Sequence, residues 1–178
     1  MATNPSGFVG AASIGSVPVA VSGTPAAGSV LAGTSGTAAQ WGAAPAASSP
    51  GAPATTTSVT QVMMGLAASF TASGSGRVLV TCTATVRTQT AQTTVTVGGR
   101  FGTGTAPVNG AAVTGTVFGP AADPVIQGSG AGSFTTFAVS DVLVLTPGQA
   151  NWFDLAIATG NVADAAGAAN VKFTFVEV

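Results

Sequence analysis

Between Gly76 and Thr88 the chain reads GRVLVTCTATVRT, with an apolar side chain at every second position. Val78, Val80, Cys82, Ala84 and Val86 share one parity, while Arg77, Leu79, Thr81, Thr83, Thr85 and Arg87 share the other. A period of two is the signature of a strand with one face buried. The same signal recurs over 63–71, 93–101, 112–118, 133–145, 151–158 and 170–178, and β-branched residues fill these segments. Glycine-rich pieces such as SGSG, VGG and GSGAG stand between them as turns. The pattern predicts an all-β protein, an antiparallel, jelly-roll-like β-sandwich of about seven to ten strands. The candidate core is Phe137, Val139, Leu143 and Leu145, then Phe153, Leu155 and Ile157, then Val171, Phe173 and Phe175. Asn161 to Asn170, NVADAAGAAN, reads equally well as a loop or a helical turn.

Residues 1–58 follow a different rule. Gly, Ala, Ser, Thr and Pro dominate, apolar residues are isolated, and every charged side chain of the protein lies at or beyond Arg77. Such a segment cannot by itself bury enough apolar surface to offset chain entropy. The chain is thus expected to divide into an extended N-terminal arm, 1–58, and a sandwich domain, 59–178. The stretches SVPVAV and GSVLAG are short enough to add as edge strands to a neighbouring subunit, and Phe8, Val17, Val19, Val30, Leu31 and Trp41 are the candidate docking residues.

Charge narrows the function. Only 5% of the residues are charged and the net charge is -1, which gives little electrostatic protection against association. Much of the surface is therefore expected to be covered by copies of the chain or by other partners. Arg77, Arg87, Arg100 and Lys172 are too few and too spread in sequence to track a phosphate backbone, which argues against nucleic acid. No apolar run approaches the roughly 20 residues of a spanning helix. The N-terminus, MATNPSGFVG, has neither the basic region nor the apolar stretch of a secretory signal, so synthesis in the cytoplasm is expected.

Candidate chemistry is sparse. The chain contains no His, no Tyr and a single cysteine, which removes the commonest general base and any internal disulfide. Asp141, Asp154 and Asp164 could in principle supply a carboxylate pair for glycoside hydrolysis, but turn or strand-end roles fit them better. Asp164 with Asn161 and Asn170 offers calcium-type oxygen ligands at a spacing that matches no calcium loop. GGRFGTGT, from Gly98 to Thr105, lacks the ending of a phosphate loop and reads as a hairpin turn or bulge. Cys82, in mid-strand on the apolar parity, reads as a small core residue. No enzyme activity, metal or cofactor is expected.

The segment FAVSDVLVLTPGQANWFDLAIATG, a loop, then NVKFTFVEV resembles the C-terminal modules of bacteriophage virion proteins such as head fibres, decoration proteins and tail-fibre tips. It is also similar in layout to the trimeric jelly-roll heads of the tumour-necrosis-factor and complement kind, where a Pro-Gly turn leads through an aromatic residue into a buried strand. Pro147, Gly148 and Trp152 carry that likeness, which spans roughly 133–178. The resemblance implies a non-enzymatic virion structural protein, a homotrimeric capsid-decoration or head-fibre protein whose arm docks on the major capsid protein or another virion protein. Trp152, Asp154, Arg77 and Arg87 would then be the candidate intersubunit contacts. The alternative is a tail-fibre or adhesin-type sandwich that binds a host-surface glycan through exposed aromatic residues. A small glycoside hydrolase ranks below both.

Overall fold

The computed structural model describes residues 13–14, 17–18, 20–22, 30–35, 38–42, 45–89, 93–127 and 134–178, and side chains from residue 45 onward. In the N-terminal part, β1 (Ser13–Ile14) pairs antiparallel with β2 (Val17–Pro18). A second small sheet joins β3 (Ala20–Ser22), β4 (Val30–Ser35) and β5 (Ala38–Gly42) in the order β3-β5-β4. Phe8 and Val19 lie outside the described residues, and for Val17, Val30, Leu31 and Trp41 only the backbone is described.

The sandwich is built from β6 (Ala46–Ser48), β7 (Val62–Met63), β8 (Ala68–Thr71), β9 (Arg77–Thr88), β10 (Thr94–Thr103), β11 (Thr116–Phe118), β12 (Val125–Gln127), β13 (Phe134–Val144), β14 (Ala150–Thr159) and β15 (Ala166–Glu177). Two antiparallel sheets face each other. One runs β13-β9-β15-β6; the other has β10 and β14 at its centre, with β11 and β12 beside β10, and β7 and β8 beside β14. The described residues contain no helix.

The alternation in β9 is realised as expected: Val78, Val80, Cys82, Ala84 and Val86 are buried, and Arg77 and Arg87 are exposed. Between the sheets lie six buried phenylalanines. Phe153 meets Phe175 with ring centroids 4.7 Å apart, Phe175 stacks on Phe70 at 5.0 Å, and Phe118 meets Phe153 edge-on at 6.1 Å. Offset and edge-to-face contacts of this kind add to the area that each ring buries. Phe137, Val139, Leu143, Leu145, Leu155, Ile157, Val171 and Phe173 join the same cluster.

Several expectations are corrected by tertiary contacts. The sandwich starts before residue 59: β6 pairs with Phe173–Phe175 of β15, and Thr56 bridges Ala166. The strand expected over 63–71 is broken in two, with Gly65 and Ala67 at positive φ between β7 and β8. Over 112–118 only Thr116–Phe118 is a strand, while Ala112 forms an isolated bridge to Val62. Gly98 and Gly99 fall both in the strand expected over 93–101 and in the expected turn or bulge GGRFGTGT; the strand is what forms, with both in the middle of β10 and other parts of the chain close against them. A Cβ on Gly98 would stand 1.9 Å from Oδ1 of Asp123, and one on Gly99 would stand 2.5 Å from the Phe118 ring. Finally, Ala166–Asn170 belongs to β15, whose pairing with β9 shifts register between Ala169 and Lys172; Asn170 sits at the shift with φ 51°. This is a β-bulge, which lets a small-residue segment continue the ladder.

Candidate functional site

All five acidic residues are held by the chain's own groups. Asp154, on β14, is fully buried. Its carboxylate accepts the amide N–H groups of Gly65 at 2.9 Å, Leu66 at 3.1 Å and Leu155 at 2.7 Å. The first two are amides of the break between β7 and β8, so Asp154 fixes the point where that edge strand changes course. Burial pushes the carboxyl above the ordinary carboxylate range, and the amide hydrogen bonds counter only part of that.

The opposite edge is broken between β11 and β12, and carboxylates hold that break too. Asp123 receives both terminal nitrogens of Arg100, a β10 side chain that is buried; Nη1 donates at 3.0 Å and Nη2 forms the salt bridge. Nη2 also donates to Oε1 of Gln61 at 3.3 Å. Burial raises Asp123, but the hydrogen bonds from Arg100 and Gln61 and the Arg100 charge outweigh it and hold the carboxyl below its ordinary value. Asp141 reaches from the facing sheet to the N–H of Gly119, at 2.9 Å.

The remaining two anchor links between sheets. Glu177 accepts from Gly74 at 2.6 Å, Gly76 at 3.0 Å and Ser73 at 3.2 Å, closing the turn before β9. Asp164 accepts the N–H of Gln89 at 3.0 Å. Asp141, Asp154 and Asp164 thus serve three separate turns. Asn161 spends its side-chain oxygen on the N–H of Ala163 at 3.0 Å, and Asn170 is exposed at the bulge. Among the described residues no group of three His, Cys, Asp or Glu could hold a metal ion.

Trp152 and Asp154 share a face of β14, as their parity requires, but that face is covered from within the chain. Residues 104–115 fold over it and pair with the β7 segment: Gly110 N–H donates to Met63 O at 2.8 Å, and Met63 N–H to Ala111 O at 2.9 Å. Trp152 is 6% exposed, donates from Nε1 to Thr103 O at 3.1 Å, and packs with Met63, Ala156, Ala106 and Ala111. Gly102 and Gly115 let the indole approach; a Cβ on either would come within 2.6 Å of the ring. Neither side chain therefore offers surface to another subunit or stacks openly on a ligand. Cys82 is likewise buried, and burial pushes its thiol up to about 12.

Arg77 and Arg87 behave otherwise. Both are exposed on the outer face of the β13-β9-β15-β6 sheet, and Lys172 of β15 joins them opposite Thr83. Cross-strand rows on this face set Val142 by Leu79 and Val176, Ser140 by Thr81 and Thr174, Val144 by Arg77, and Phe134 by Arg87. The hydroxyls of Thr81 and Ser140 hydrogen-bond at 2.9 Å. Phe134 is 63% exposed and Val144 81%. Where β6 ends, a shallow groove of about 490 Å³ is lined by 49–52 and 169–172, with Lys172 at its wall and no acidic side chain.

No family model and no curated relative matches the chain. Among the described residues no helix is long and apolar enough to cross a membrane. The Arg100–Asp123 clamp was missed in the sequence. The glycine pair preceding Arg100, in a segment otherwise patterned as a strand, is the signal that another side chain lies across it.

Proposed function

We propose that the chain is a non-enzymatic structural subunit of a bacteriophage virion, an oligomeric capsid-decoration or head-fibre protein attached through its N-terminal arm. The observation that carries the reading is the use of the five carboxylates: each one holds a backbone turn or an arginine. In a chain without histidine or tyrosine, that leaves the side chains best suited to proton transfer occupied with architecture. The layout of the terminal strands and the scarcity of charge support a component repeated in an assembly. Trp152 is enclosed, which takes away the aromatic platform that a sugar-binding reading asks of it.

The test is the native mass of the full-length chain, alone and on particles that carry it. A homotrimer whose arm resists protease on the particle is expected. A monomer whose arm is cut equally fast free and on the particle would remove the proposal.

A further inference from the structure

The charges of this protein are sorted by sign. All four cations are described, and one, Arg100, is buried against Asp123. The other three, Arg77, Arg87 and Lys172, stand exposed on one sheet face. All five carboxylates accept hydrogen bonds from turns or from Arg100, and Asp154, Asp164 and Glu177 are buried. A chain with a net charge of -1 thus presents a cationic face and keeps its negative charge in the interior and at loop anchors.

We infer that this outer face of the β13-β9-β15-β6 sheet docks a partner protein whose contacting surface is acidic and partly apolar. The inference rests on the reading of the chain as an assembly component and names the chemistry of one partner. A second copy is a poor occupant: two such faces would set cations against cations, and the chain has no exposed acidic cluster to answer them. Nucleic acid is disfavoured by spacing. Arg77 and Arg87 are ten residues apart on β9, about 33 Å along a strand, with Lys172 beside Thr83 between them. Affinity for a phosphate backbone needs many neutralised charges, not a sparse line.

An apolar component favours protein over glycan. Leu79, Val142 and Val176 form one row, and Val144 and Phe134 flank the two arginines. A saccharide has little to bury against such side chains, whereas a protein surface does. The three long strands β13, β9 and β15, at about 4.8 Å spacing and about 33 Å length, with the three-residue β6, give roughly 500 Å². That is below the roughly 800 Å² per partner of a standard stable interface, so the contact is weak alone, salt-dependent, and effective when many copies are displayed together.

The experiment uses the purified full chain and four labelled probes: a random Glu/Tyr copolymer, poly-glutamate, heparin and an oligo-dT strand, each at low and at physiological salt. The copolymer is expected to bind most tightly and to weaken several-fold with salt. R77Q/R87Q/K172Q is expected to weaken it about tenfold or more, with an unchanged thermal midpoint because these side chains are exposed. V142S/V144S is expected to weaken the copolymer and leave poly-glutamate unchanged. Absence of copolymer binding overturns the inference, as does an unaffected triple variant. Heparin or oligo-dT binding as tightly as the copolymer would identify a general polyanion surface and also overturn it. The native mass is read on the same samples: a monomer that binds the copolymer as stated loses the assembly reading and keeps the docking face, and a trimer that ignores the copolymer does the reverse.

Discussion

The carboxylate of Asp154 and the amide of Gly65 meet at 2.9 Å although 89 residues separate them in the chain. One side chain in the middle of β14 thereby sets the path of an edge strand. Asp154→Ala strips the acceptor from buried amides, and a loss of about 2–4 kcal/mol in urea unfolding is expected. Asp154→Asn retains one acceptor oxygen and should lose less. Because burial raises this carboxyl in the folded state, the folded protein binds its proton more readily than the unfolded chain. Its contribution therefore favours the fold at low pH and declines as pH rises through the folded value. The stability of the wild type relative to Asp154→Asn should fall as pH is raised from about 4 through that value; an unchanging difference would contradict the assignment.

Arg100 and Asp123 respond in the opposite sense. Asp123 is held below its ordinary value, so its contribution is complete above the unfolded carboxylate range and is lost as pH falls through the folded value. Asp123→Asn is expected to cost about 1–3 kcal/mol at neutral pH and progressively less in acid. A double-mutant cycle with Arg100→Met separates the pair from its surroundings; a coupling energy near zero would show that the clamp contributes nothing.

Gly99 touches the Phe118 ring through the space where a Cβ would be. Phe118 is 1% exposed, and its ring has no open side to move into. Gly99→Ala is expected to cost about 1–3 kcal/mol by overpacking. Pairing it with Phe118→Leu should return part of the loss, and the comparison of the three unfolding curves tests this.

Trp152 holds residues 104–115 against the sheet. Trp152→Ala should cost about 3–5 kcal/mol, and amide exchange should speed up at Gly110 before it does in β9. Trp152→Phe keeps much of the packing but not the bond to Thr103 O, so its cost should be smaller. If exchange at Gly110 is unaffected by either change, the indole is not what fastens the segment.

Cys82 provides a clock for opening of the core. Its thiol lies fully buried in mid-strand and is raised to about 12, so almost no thiolate is available at neutral pH. Labelling by a disulfide reagent should proceed only as fast as the sheets part. Instant reaction in native buffer would show that Cys82 is accessible.

What the sequence disclosed followed from local repetition. Alternation in β9, and in Phe153, Leu155 and Ile157 of β14, survives because one face of each strand must meet the other sheet. The carboxylate anchors were invisible for the opposite reason: Glu177 and Gly74 are 103 residues apart, and nothing near either betrays the other. Asp154 and Trp152 were legible as sharing a face, but the cover over that face comes from 104–115, a stretch whose strand signal begins only at Ala112. Ala166–Asn170 looked like a loop because its residues are small. It is a strand because smallness is what admits its neighbour: a Cβ on Gly167 would come 2.9 Å from the Thr55 side chain.

Among the described residues β13 ends its sheet, so one side of its backbone faces no further strand of that sheet. Such a margin invites identical chains to join edge to edge and grow into a fibre, the more so when few surface charges repel them. Asp141 occupies an inward-parity position on this strand, between buried Val139 and buried Leu143, and remains only half-buried. An added strand would seal that carboxylate away from water. The acid that steadies Gly119 therefore also guards the margin against such joining.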